Sequence, residues 1–179
     1  MKCIVRIPLE PWCIRFFLHQ NAHTLDADGI TIVQTAKDLL GKIITGYMRK
    51  TIFDNWYMAI PSQPHIRIAL PQNYNRHGLT KEDTENISSI LEQFAKKELC
   101  YQVALYSSLP GVSRAITIRK IFEKIGITDE EYDQGHFRRY FDRYAKDSLG
   151  RDFLDFRPEV TRALKEIYDP IIRKDGIPE

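Results

Sequence analysis

The sequence predicts a mostly helical α+β fold: a short two-stranded β-ribbon with helices, followed by a C-terminal helical unit of helix-turn-helix-like layout. Three observations lead there. Residues 3–9 and 65–71 alternate apolar and polar positions and run into prolines, which marks short strands. Several longer segments repeat apolar residues every three or four positions, the period of a helix packed on one face. Three such segments follow one another closely within residues 113–147.

In the first strand, Cys3, Val5, Ile7 and Leu9 share one face, while Ile4, Arg6 and Pro8 share the other. Pro11 suits a first helical turn, and Trp12, Arg15, Phe16 and His19 follow at helical spacing. Residues 21–29, NAHTLDADG, form a polar loop. Ile32, Ala36, Leu39, Leu40, Ile43 and Tyr47 then predict a helix, weakened by Gly41 and Gly46. Residues 55–64 read as a connector. The second strand repeats the arginine of the first, since IRIAL at 66–70 matches VRIPL at 5–9, so Arg6 and Arg67 occupy equivalent places on a ribbon formed within the chain or between chains.

A long helix opens at Thr80, with Asp83 three residues on as a near-capping box, and carries Ile87, Ile90, Leu91, Phe94, Leu99, Val103 and Tyr106 before Pro110-Gly111 stops it. Ser113 can cap a helix whose Ile118, Ile121, Phe122 and Ile125 form a stripe ending at Gly126. Thr128 and Glu131 are a capping box for a short helix, TDEEYDQ, and a third helix runs from His136 to Asp147. A C-terminal helix at 158–171, preceded by Phe153, Leu154 and Phe156, would clamp this unit to the body. The division is 1–110 for the ribbon and helices and 111–179 for the helical unit, or a single domain throughout.

The 179 residues, 43% hydrophobic and 28% charged, match an ordinary globular chain with enough apolar content for a core. Lys+Arg 26 against Asp+Glu 24 gives a net charge of only +2, so any basic footprint has to be local. The apolar run near Cys13 is broken by Arg15 and is too short for a membrane span or a secretory signal, which leads to a cytoplasmic expectation with no membrane partner. Cys3, Cys13 and Cys100 lie in apolar patterns without a C-x-x-C pair and read as reduced core thiols.

The densest signal is HFRRYFDRY at 136–144. On a helical wheel Phe137, Tyr140, Phe141 and Tyr144 fall on one arc, a core-facing stripe. His136, Arg139, Arg143 and Lys146 lie opposite, flanked by Arg138 and Asp142. Asp142 and Lys146 attract at i, i+4, whereas Arg139 and Arg143 repel at the same spacing, which is a cost that a phosphate-contacting face would carry. The acids Asp129, Glu130, Glu131 and Asp133 stand next to this helix in sequence and could neutralise it.

The order strand, helix, polar loop, helix over residues 2–50 resembles a ribbon-helix-helix repressor. In that family outward strand residues enter the major groove, and the matching residue here is Arg6. Residues 126–132, GITDEEY, followed by Phe137-x-x-Tyr140-x-x-Arg143-Tyr144, are similar to small uncharacterised proteins of bacterial prophages and other mobile elements, a resemblance that implies no particular activity.

Enzymatic patterns are thin. His136-x-x-Arg139 with a distant Tyr168 resembles part of the tyrosine recombinase set but lacks its upstream arginine motif. Asp26-Ala27-Asp28-Gly29 resembles part of a calcium loop, yet the twelfth position of that register is Thr35 and not a carboxylate. His19 and His23 are four apart without an accompanying acid. The sequence therefore leads to a non-enzymatic DNA-binding or DNA-associated protein of a bacterial mobile element, without cofactor or metal. Arg138, Arg139, Arg143 and Lys146 are the helical contacts and Arg6 and Arg67 the ribbon contacts. The expected partners are double-stranded DNA and further copies of the chain. The alternatives are an assembly subunit that oligomerises through the long helix and, third, a DNA-strand-processing enzyme.

Overall fold

The computed structural model describes residues 3–35, 37–50, 63–74, 77–108 and 111–147. The expected C-terminal helix, with Tyr168, and residues 55–62 of the connector lie outside them. Among the described residues the fold is mostly helical α+β, in two compact units: residues up to 96 together with 125–127, and residues 97–124 together with those from 128 onward. No helix among the described residues is long and apolar enough to cross a membrane.

The first unit is built on a three-stranded sheet. Strand β1 (Cys3–Pro8) and helix α1 (Pro11–Gln20) form where the alternation and Pro11 place them. Strand β2 (Thr31–Val33) replaces the first turn of the expected helix, which begins only at Leu39 as α2 (Leu39–Tyr47). After β3 (Arg49–Lys50) comes β4 (His65–Leu70), and β5 (His77–Gly78) pairs with β3. The order is β1-β4-β2, so the expected two-stranded ribbon gains a third strand. β1 runs antiparallel to β4 within the chain, with Val5 opposite Ile68 and Arg6 opposite Arg67, while β2 runs parallel to β4.

The turn before β2 explains the altered boundary. The Asp28 carboxylate accepts the amides of Ile30 and Thr31 and the Thr31 hydroxyl at 3.0, 2.8 and 2.6 Å, and Gly29 takes the positive φ of 68° that the reversal needs. The chain leaves this turn extended, and three β-branched residues, Thr31, Ile32 and Val33, fit a pleated strand better than a helix.

On the inner face of the sheet, Val5, Ile7, Ile66 and Ile68 are buried, as are Trp12, Cys13, Phe16 and Phe17 of α1. The buried arc of α1 is thus turned from the expected one, for Arg15 and His19 are exposed. Phe17 stacks on Phe94 at 6.2 Å, and the Ser88 hydroxyl donates to the Pro8 carbonyl at 2.6 Å, which ties the first half of α3 (Lys81–Ser107) to this unit. Thr80 and Asp83 form the expected box reciprocally: the Asp83 amide donates to Thr80 Oγ1 at 3.1 Å and the Thr80 amide to Asp83 Oδ2 at 2.9 Å.

The second unit contains the end of α3, α4 (Arg114–Ile125) and α5 (Gln134–Asp147). Ser113 caps α4 through the Ile116 amide, and Gly126, at φ 81°, ends it in the left-handed conformation. The core is aromatic: Phe122 lies 5.3 Å from Phe137 and 6.0 Å from Tyr132, ring centre to ring centre, and Phe122 and Phe137 are fully buried. Truncating Phe122→Ala will lower stability by about 3–5 kcal/mol in urea unfolding, because the neighbouring rings are left facing a cavity. Thr80→Ala will cost about 1 kcal/mol by the same measurement, the usual loss on removing a helix cap.

Candidate functional site

The α5 face is set by what its aromatic residues do. Phe137 and Phe141 are buried at i, i+4, which turns positions 138, 139 and 143 outward, and Arg138, Arg139 and Arg143 are all exposed. Only half of the expected aromatic stripe is core. Tyr140 and Tyr144 are half-buried and stack on each other with ring planes 5° apart and centres at 6.3 Å. Burial raises the Tyr140 pKa, with Cys100 and Tyr144 adding to the rise and Arg143 opposing it.

The connection into α5 differs from the predicted one. Thr128 and Glu131 exchange the capping-box hydrogen bonds, at 3.3 and 3.4 Å, but they close a single turn and no helix follows. Tyr132 enters the aromatic cluster at this point, and Asp133 caps the next helix by accepting the His136 amide at 2.5 Å. The connection from α4 to α5 therefore spans residues 126–133, longer than the three- or four-residue link usual in a helix-turn-helix.

This arrangement also decides where the acids go. Asp133 is engaged by the helix cap and Glu131 by Thr128. Asp142 accepts from Arg114 of α4 at 2.6 Å, and the Arg114 guanidinium lies 4.9 Å from the centre of the Phe141 ring. Both partners are about half exposed, so the pair adds little stability. Its effect is to give Asp142, which lies between Arg139 and Arg143 in the sequence, a partner on another helix. Among the described residues Arg138, Arg139 and Arg143 have no carboxylate partner; the Arg143 Nε donates to the Arg139 carbonyl at 3.4 Å. Lys146 belongs to α5, and its side chain is outside the described set.

The other predicted residues, Arg6 and Arg67, lie on the outer face of the sheet in the first unit, directly opposite each other across β1 and β4. Both are half-buried, and Arg67 ion-pairs with Asp28 at 3.2 Å. The chain matches no protein-family model, no curated protein and no solved structure. The assignment of a role thus rests on the residues alone.

Two residues shape these surfaces in ways that sequence reasoning missed. The part played by Asp28 was legible as the start of an Asp-Gly turn with a threonine three positions on. That of Arg114 was not, since nothing local links it to Asp142 on another helix. Catalytic chemistry finds little support in the thiols: burial raises all three, and Cys100 is pushed up to about 12, which leaves it protonated at neutral pH. His19 and His23 are both exposed, and no group of three His, Cys, Asp or Glu among the described residues could hold a metal ion.

Asp28 generates a pH prediction. The Thr31 hydroxyl, the Ile30 and Thr31 amides and the Arg67 guanidinium lower its pKa from 3.8 to about 2. A carboxyl with a folded pKa below its unfolded one contributes fully above the unfolded value and loses that contribution as pH falls through the folded one. A carboxyl-detected NMR titration will give Asp28 a midpoint near 2. The stability deficit of Asp28→Asn relative to the parent will shrink as pH drops from about 4 toward 2.

Proposed function

We propose that the protein is a non-enzymatic DNA-binding protein, a regulator or accessory factor that contacts duplex phosphates through α5. One observation carries this reading: Arg138, Arg139 and Arg143 stand exposed on one helix without a carboxylate partner among the described residues, while Asp133 caps the helix and Asp142 pairs with Arg114. Like charges at i, i+4 destabilise an isolated helix, and a polyanion removes that cost. Arginine suits the role because its planar fork can meet two phosphate oxygens at once. Contacts of this kind fix register and orientation, and they favour any sequence about equally.

Fluorescence anisotropy with a labelled duplex tests the reading. Binding should be salt-sensitive, and Arg139→Ala combined with Arg143→Ala should weaken it and lower the slope of log K against log salt by about 1.8, at roughly 0.9 for each phosphate that is no longer neutralised. Absence of salt-sensitive binding at low ionic strength, or a double variant that binds like the parent, rejects it. A stable oligomer in light scattering, together with absent DNA binding, favours the assembly-subunit alternative.

A further inference from the structure

The outer face of the sheet holds a second concentration of positive charge, in the first unit and independent of α5. Register places Arg6 and Arg67 directly opposite each other, with their side chains on the same face of an antiparallel pair. Like charges in that relation destabilise a sheet. Their neighbours on this face offer little relief, for Ile4 stands opposite Ala69 and Pro8 opposite His65. Arg6 has no hydrogen-bond or ion-pair partner among the described residues.

Arg67 is engaged on one side only. Its Nη1 reaches Asp28 Oδ2 at 3.2 Å, but its Nε is buried and has no hydrogen-bond acceptor. Asp28 also takes the Thr31 hydroxyl and two backbone amides, so its lone pairs are largely committed. Two guanidiniums against one carboxylate leave this cluster a net charge of +1, and a buried donor without a partner is costly.

We propose that Arg6 and Arg67 form an anion-binding notch on the outer face of the three-stranded sheet, suited to a small oxyanion of the phosphate or phosphomonoester class. The anion sits between the two guanidiniums. A turn of the Arg67 side chain about its terminal torsions brings Nε onto one oxygen, and Arg6 takes another. The Asp28 charge opposes the anion and holds the Nη1 arm of Arg67 in its absence, so the turn that brings Nε onto the anion draws that arm away from Asp28. Ile4 and Pro8, both half-buried, flank Arg6 with apolar surface on this face of β1, against which charge-assisted hydrogen bonds are stronger than in open water.

NMR titration of the full chain with inorganic phosphate, at ionic strength held constant with chloride, tests the site. Saturable shifts at the Arg6 and Arg67 Nε–H signals are expected. Arg6→Gln, on an edge strand, should weaken phosphate at least tenfold. Arg6→Lys, which keeps the charge and the stem but loses the fork, should weaken it several-fold while leaving the amide spectrum unchanged. Arg139→Ala with Arg143→Ala should leave phosphate binding intact, so failure here and failure of the α5 reading are told apart. A parallel titration with a 5′-mononucleotide separates the sources: equal affinity assigns free phosphate, and tighter binding assigns a phosphomonoester. Shifts that do not saturate, that chloride reproduces, or that persist unchanged in both Arg6 variants overturn the proposal and leave water as the partner of the Arg67 Nε.

Discussion

Strand β4 is hydrogen-bonded along both edges, antiparallel to β1 on one side and parallel to β2 on the other, and the first unit is organised by that double commitment. A strand flanked on both sides must keep its backbone extended and its apolar side chains covered, and Ile66, Ile68, Ala69 and Leu70 are all buried. The parallel pairing adds a second requirement. Two parallel neighbours cannot be joined by a tight turn, so the chain between β2 and β4 has to cross over, and α2 lies in that crossover. The Asp28 turn delivers β2 to the edge of β4 in the correct orientation, and the ion pair from Arg67 links that turn to the strand it serves.

The second unit solves a different problem with aromatic residues. Phe122, Tyr132 and Phe137 meet in one cluster, and Phe141 continues it along α5 under the Arg114 guanidinium. Once Phe137 and Phe141 face inward, helical geometry leaves the arginines no choice but to face out. The same packing draws Asp142 to Arg114 and Tyr132 out of what would have been a helix, so the positive face of α5 and the shape of the connection before it have a common cause. The buried phenylalanines thus determine the electrostatics of a surface they do not reach.

Much of this was legible in the sequence, and the exceptions have physical reasons. Where one local pattern decided, as at Pro11, at the Thr80 and Asp83 box, and at Ser113 and Gly126, element and boundary emerged together, because capping satisfies backbone groups within a few residues. β2 was missed because Ile32 lies in helical phase with Ala36, Leu39 and Leu40, and three residues are too few for alternation to compete. The capping box at Thr128 and Glu131 formed without its helix because tertiary burial of Tyr132 outweighed local propensity. Of the candidate contact residues, exposure of Arg138, Arg139 and Arg143 followed from periodicity. The Arg114–Asp142 pair and the engagement of Arg67 by Asp28 join separate elements, which periodicity does not address.

The pairing of Cys3 with Leu70 at the far end of the β1–β4 ladder also has a temporal side. A chain made from its N-terminus forward completes β1 and α1 long before β4 exists. During that interval Trp12, Phe16 and Phe17 have no sheet to lie against, and the entropy of closing so long a loop opposes the ladder until its pairing is well advanced. The α4 and α5 hairpin, whose partners are near neighbours in sequence, carries no such delay. On the ribosome, the greater exposure to mispairing and chaperone capture therefore belongs to the sheet-bearing half of the chain.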